Sequence, residues 1–346
     1  MSELAARLIP WFIRNDRRLP WRDDPTPYHV WLSEIMLQQT RIEAVIPYYH
    51  RFLAHFPTVA ALAAADDEEL LKCWEGLGYY SRARNLKKCA IAVMTEYNGC
   101  LPSDIPSLLR LPGIGPYTAG AIASIAYGKP TPAVDGNVLR VMTRLLCDTG
   151  DIMKPETRAR ISEYLAAAYP PEGDDCRCFT QALMEVGQTV CPPAGAPKCA
   201  LCPFEDICLA HRTNTEAEYP RKAPKAARRI EERTVLLLRV RNRYAVAKRP
   251  DGGLLAGLWE FPSFEGKHSP EDALSIAEGY GLSPVAVTPL KDAKHIFTHI
   301  EWHMTGYLIE CDRASERFVF ATPDEIRDRY AVASAYRAYR KIVLAP

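Results

Sequence analysis

The chain has 346 residues, of which 48% are hydrophobic and 25% charged. That composition excludes collagen-like and wholly disordered chains, and at about 150 residues per domain the length calls for about two domains. Forty-three basic residues against 42 acidic ones leave a net charge of +1, so global charge does not announce a polyanionic partner. No apolar run reaches the roughly 18 residues of a membrane span and the first segment lacks a signal-peptide core, so a cytoplasmic protein is expected.

From Leu4 to Cys208 the apolar residues recur mostly at helical spacing, in segments such as 30–52, 67–78 and 81–97, broken by Pro, Gly and Asp. An all-helical domain over 1–212 is predicted. Within it, Glu34 stands in a helix among Trp31, Ile35, Met36 and Leu37. An apolar setting of that kind raises a carboxyl pKa, although a lone glutamate in an amphipathic helix also fits a plain surface position. Residues 105–128 read as two short helices joined by the tight turn Leu111-Pro112-Gly113-Ile114-Gly115. Such a helix-hairpin-helix bares backbone N–H groups at the start of its second helix, where the dipole also favours an anion, so a DNA phosphate can dock without side-chain charge. A mere helix–helix corner would use the same residues. In the following TPAVDGNVLRVMTRL, Asp135 or Asn137 caps the next helix.

Eleven cysteines are an odd number, and four of them, Cys191, Cys199, Cys202 and Cys208, form C-x7-C-x2-C-x5-C. Four converging thiolates need a cation. Zinc sites of this kind usually pair two C-x2-C knuckles, whereas one central pair with two single flanking ligands suits a [4Fe–4S] cluster better; zinc stays open as the alternative. Cys73, Cys89, Cys100, Cys147, Cys176, Cys178 and Cys311 read as small hydrophobes. Residues 213–231 have few large apolar side chains and bunch Arg221, Lys222, Lys225, Arg228 and Arg229, which marks an interdomain linker. Over 232–346 the pattern changes to alternation and β-branched runs, with one helix-like stretch at PEDALSIAEGYG, so the second domain is α+β.

The runs LPGIG (111–115) and VDGNV (134–138), followed by the four cysteines, resemble the endonuclease III class of base-excision DNA glycosylases. Residues LPWR (19–22), WLSEIMLQQTRIEAVIPYYHRF (31–52) and WEGLGYYSRARNL (74–86) narrow the resemblance to its adenine-specific branch, the MutY family. GGLLAGLWEFPSFEG (252–266) resembles the Nudix fold, but the R-E-x-x-E-E metal cage of Nudix hydrolases is missing: PEDALSIAEGYGL offers only Glu271, Asp272 and Glu278.

The resemblance implies a helical helix-hairpin-helix glycosylase domain with an iron–sulfur loop, followed by a Nudix-like domain that reads 8-oxoguanine. The implied substrate is double-stranded DNA with adenine mispaired with 8-oxoguanine or guanine, handled by a monomer. Glu34 would be the general acid and Asp135 the carboxylate that steadies the sugar cation, with Asn137 beside them. Tyr117 stands where bifunctional relatives carry a Schiff-base lysine, so base removal without efficient strand cleavage is expected. Gln39, Leu77 and Tyr79 match wedge positions. Arg17, Trp21, Arg22, Leu37 and Gln181 match positions around the flipped adenine, and Gly113 and Gly115 match the phosphate-binding hairpin. Cys191, Cys199, Cys202 and Cys208 would hold the [4Fe–4S] cluster. Phe297-Thr298-His299 stands where the family commonly has Phe-Ser-His. A second departure is the seven residues between Cys191 and Cys199 where six are usual, and the extra one should bulge outward.

Overall fold

The computed structural model describes residues 1–224 and 227–345; Lys225 of the expected basic linker lies outside the described residues. Two units divide the chain, Met1–Ala64 with Asn85–Pro224, and Ala65–Arg84 with Lys225–Pro346.

The first unit is helical. Its elements begin with α1 (Glu3–Asn15), α2 (Pro20–Asp23), α3 (Pro27–Leu37), α4 (Ile42–His55) and α5 (Val59–Ala63). In chain order α6 (Asp67–Cys73), which belongs to the second unit, and α7 (Ser81–Glu96) come next, then α8 (Ile105–Arg110), α9 (Pro116–Ala121), α10 (Gly136–Leu146), α11 (Pro155–Ala168), α12 (Asp174–Thr189) and α13 (Leu209–Arg212). Thr26 starts α3 by accepting the His29 N–H, and Pro27 follows at the first turn, where a missing N–H costs nothing. From Val30 to Met36 every residue of α3 is buried, Ser33 and Glu34 included, so the helix is covered on all sides and sits inside the unit. Alpha-helix α12 packs on α1, on α10 and on the π-helical turn Ile122–Ala126 that continues α9.

The front half of the expected linker is held on this helical unit. Tyr219 is buried, and the carbonyls of Glu216 and Tyr219 both accept from Arg144 Nε at 3.0 Å.

The second unit is built on β1 (Arg229–Val240), β2 (Arg243–Lys248), β3 (Trp259–Glu260), β4 (Ser263–Glu265), β5 (Pro284–Ile296), β6 (Ile300–Cys311) and β7 (Val319–Ala321), with α14 (Pro270–Gly279), α15 (Pro323–Asp328) and α16 (Arg337–Val343). The sheet order is β3-β2-β1-β6-β5, with β4 on β1 and β7 on β2. Strands β1 and β6 run parallel from Arg229↔Ile300 to Arg239↔Glu310, and β5 hangs antiparallel on β6. Val235 to Leu238 are buried without alternation because both sheet faces are covered. One face packs Leu236, Leu238 and Ile309 on Ala273 and Ala277 of α14. Within this unit α6 is fastened by Lys72 Nζ to the Tyr330 carbonyl (3.1 Å) and by Arg340 to Glu75 (2.8 Å).

Helix α14 is the predicted helix PEDALSIAEGYG. Its Asp272 is engaged in a capping box with Ser269, and Glu271 and Glu278 are exposed, so its carboxylates form no inward cage. Among the described residues, no helix is long and apolar enough to cross a membrane.

Candidate active site

Glu34, Tyr117, Asp135 and Asn137 line one cavity of about 960 Å³, together with Arg17, Leu37 and Gln39. Glu34 comes from the buried α3 and is 6% exposed. Tyr117, in the first turn of α9, donates its phenol hydroxyl to Glu34 Oε2. Asp135 is the N-cap of α10: its Oδ1 accepts the Val138 N–H at 2.7 Å and its Oδ2 accepts from Asn137 Nδ2 at 2.7 Å. The capping role read from the sequence therefore places this carboxylate at the cavity.

Burial pushes the Glu34 carboxyl up to about 7, and the neighbouring Asp135 charge adds to the rise, while the Tyr117 hydrogen bond and Arg22 oppose it. The Asp135 pKa is also raised by burial, against hydrogen bonds from Val138 and Asn137 that favour its anion. Tyr117 is held well above the ordinary phenol range by burial and then by the two carboxylates, so it stays a neutral donor. Two carboxyl groups in one cavity thus differ in what surrounds them. Glu34 has one phenol and an apolar helix, and Asp135 has N–H donors that stabilise charge.

Behind Asp135 runs a buried polar chain. Arg140 Nη2 donates to Asn137 Oδ1 at 2.8 Å and to the Gly187 carbonyl at 2.7 Å, and its Nε donates to the Cys191 carbonyl at 2.8 Å. Gly187 is what lets α12 come this close, since a Cβ there would stand 2.6 Å from Asn137 Cβ.

Cys191, Cys199, Cys202 and Cys208 line a second, apolar cavity with Val141, Leu145, Val190 and Phe204. None is in a disulfide. Burial pushes up the thiols of Cys199, to about 11, of Cys202, to about 12, and of Cys208; at Cys199 the Glu216 charge adds to the rise, and neighbouring thiols add to it at all three. Only a cation would make them ionise together, which is the donor chemistry a thiolate-bound cluster needs. Arg144 Nη1 points at Cys191 Sγ at 3.1 Å. His211 and Glu216 pair at 2.8 Å beside Cys199. Residues 193–196, within the seven-residue spacer, are exposed, and the Lys198 N–H closes the loop on the Val190 carbonyl at 2.8 Å.

The turn Leu111–Gly115 joins α8 to α9 as expected. Gly113 has φ +78°, and a Cβ there would meet Asn85 Cβ at 2.7 Å, so both conformation and space demand glycine. Gly115 caps α9 and has open space before it.

In the second unit, Tyr79 is 48% exposed and shares a cavity of about 480 Å³ with Phe297, Thr298 and His299. Leu77 is buried. Arg82 holds their turn by donating to the Leu77 and Gly78 carbonyls at 3.2 and 3.1 Å while lying over the Trp74 and Tyr79 rings. Thr298 and His299 are exposed at the β5–β6 turn, and Phe297 packs edge-on against His295 and Trp302. Of the residues assigned to the flipped base, Trp21 is buried against Tyr49 and Gln181 is buried in α12; neither lines the 960 Å³ cavity. Arg22 is likewise not a lining residue.

Residues 32–167 match the family model of the HhH-GPD superfamily of base excision DNA repair proteins, and residues 234–341 match the NUDIX domain. The adenine DNA glycosylase of Mus musculus is 34% identical over 91% of this chain and 72% of its own length. The chain belongs to the adenine DNA glycosylase family. The Arabidopsis thaliana adenine DNA glycosylase is 38% identical over 76% of this chain, but the match spans 47% of that protein. A solved non-covalent endonuclease III–DNA complex is 25% identical with a TM-score of 0.51, covering 61% of this chain and 94% of that one.

Sequence reasoning passed over Glu185, Gln188 and Arg140. The signals were present: Glu185 follows Gln181 by four residues and so shares its helix face, and Arg140 stands three residues after Asn137, between Leu139 and Val141. What was missing was the partner, which comes from a distant part of the chain.

Proposed function

We propose that this glycosylase removes adenine mispaired with 8-oxoguanine or guanine from double-stranded DNA by hydrolysing the N-glycosidic bond, without a lysine Schiff base. The supporting observation is that Glu34 and Asp135 share one cavity while burial holds Glu34 near pKa 7. Glu34 gives its proton to the departing purine, Asp135 steadies the oxocarbenium-like sugar, and water completes the hydrolysis. Tyr117 holds the Glu34 carboxyl in place and, lacking an amine, leaves the strand uncut. Extruding adenine costs a few kcal/mol, which Gln39, Leu77 and Tyr79 offset by filling the gap; Arg17 and Leu37 line the cavity that receives the base, and Trp21, Arg22 and Gln181, outside its lining, support it.

The backbone N–H groups after Gly113 and Gly115 dock a phosphate of the duplex. Phe297, Thr298 and His299 read the base opposite the adenine. Residues 1–212 act as the catalytic domain, 213–231 as the linker and 232–346 as the recognition domain. Cys191, Cys199, Cys202 and Cys208 fit a [4Fe–4S] cluster, which would tie the loop they span into one rigid unit.

The test is a duplex with one adenine opposite 8-oxoguanine, assayed for free adenine and for alkali-sensitive sites. Adenine release with no adduct on borohydride treatment is expected. Absence of release would refute the reading, and a trapped adduct would put a lyase in its place.

A further inference from the structure

Two arginines beside the base pocket share one buried anion. Glu185, in the middle of α12, is 1% exposed. It accepts from Arg17 Nε on Oε1, from Arg17 Nη2 on Oε2 at 3.1 Å, and from Arg22 Nη2 on Oε2 at 2.7 Å. Gln188, one turn on, accepts a further bond from Arg17 Nη2 at 2.6 Å, and Asp16 accepts from Arg22 Nη1 at 2.5 Å. Two guanidinium charges therefore face two carboxylates, one of them buried. A buried carboxylate is costly unless charged donors meet it on both oxygens, which is the arrangement here. The fork of each guanidinium is fixed in direction by planar pairing, which a lysine ammonium could not provide.

We propose that Glu185 is a positioning residue: it fixes Arg17 and Arg22 as a rigid pair beside the base pocket and, with Asp16, offsets their charge, so that Glu34 keeps the proton it delivers. The inference rests on the adenine-excision reading and deepens it.

The groups acting on Glu34 are Tyr117 from α9, Asp135 at the start of α10 and Arg22 from α2. Arg140 of α10, Arg158 of α11, and Arg41 and Glu43 from the start of α4 line the same cavity, with Lys222 at its edge. Arg17 lines the cavity as well and shares Glu185 with Arg22; of the two, Arg22 is the one whose charge acts on Glu34, so the carboxylate reaches Glu34 by way of that arginine. Without the Glu185 charge, the Arg22 guanidinium is less compensated and the ionised form of Glu34 gains. Glutamine at 185 would also present an amide N–H₂ toward one guanidinium, and the pair would lose its fixed geometry.

The experiment is single-turnover adenine release from the adenine:8-oxoguanine duplex against pH. Glu185→Gln should lower the rate at the optimum about tenfold or more, as expected for a misplaced binding pair, and should move the alkaline limb to lower pH. Glu185→Asp, which keeps the charge, should return the limb toward the wild-type position. Arg22→Gln, which removes a cation whose charge favours ionised Glu34, should move the limb the other way, to higher pH. It decides the matter if the Glu185→Gln protein fails to fold by circular dichroism.

A folded Glu185→Gln protein with an unmoved limb would reduce Glu185 to a structural ion pair and overturn the proposal. So would an Arg22→Gln limb that stays or moves down. Adenine release by the wild type separates this failure from failure of the underlying function, since a wild type that releases none would refute that function and the proposal with it.

Discussion

Glu34 is held in a state that the folded protein pays for, and replacing it by glutamine should make the protein more stable as well as inactive. Its carboxyl rises from an ordinary 4.5 to about 7 on folding. The folded state therefore binds the proton more tightly than the unfolded chain, and stability falls as pH rises from about 4.5 to about 7. Below that window both states are protonated and the cost vanishes; above it the cost is complete. At 1.36 kcal/mol per pKa unit the full cost is about 3 kcal/mol. Glutamine is neutral at every pH, has nearly the same shape, and still accepts the Tyr117 hydrogen bond. Glu34→Gln should match the wild type in Tm near pH 4 and exceed it near pH 8 by roughly 6–12 °C, at about 2–4 °C per kcal/mol for a unit of this size. Differential scanning fluorimetry across that pH range measures it, alongside adenine release, which should be abolished while duplex binding persists. Equal melting at pH 8, or a gap that grows toward acid, would refute the assignment of a buried, proton-holding Glu34.

Two further outcomes test the site. Tyr117→Phe removes a donor that favours ionised Glu34; a hydrogen bond to a charged group is worth about 1.5–3 kcal/mol, so the alkaline limb of adenine release should rise by about 1–2 pH units even as the rate falls. A limb that stays put or falls contradicts that geometry. Gly113→Ala forces a side chain into a left-handed turn, at a cost of about 1–2 kcal/mol, and presses a Cβ on Asn85; fluorescence anisotropy should then show weaker duplex binding, with the alkaline limb unchanged. Undiminished affinity would detach the hairpin from DNA binding.

Strand β5 escaped the sequence reading because Pro284–Ile296 contains two prolines and has no continuous buried face. Among the described residues it pairs with β6 alone, and an edge strand needs neither alternation nor a full set of N–H donors. The strands β1 and β6 were legible because their apolar runs must fill a sheet covered on both faces. In the site, Asp135 was legible because an N-cap is a local device, and so was the glycine turn. Glu185 was not, because a glutamate inside a helix looks the same in sequence whether it faces water or two guanidinium groups.

By itself, then, the sequence determined the helical character of residues 1–212, the change to strand pairing after residue 232, the glycine-bearing hairpin and the four clustered cysteines. Each of these follows from spacing within a few residues, through backbone propensity, periodic burial or the reach of a short loop. Only the tertiary structure decided that Tyr117 meets Glu34, that Asp135 opens onto the same cavity, and that residues 65–84 cluster with the second unit. Those facts arise from helices brought together across long stretches of chain. The pKa of Glu34 exists only there, because it is the surrounding protein that takes the carboxyl out of water.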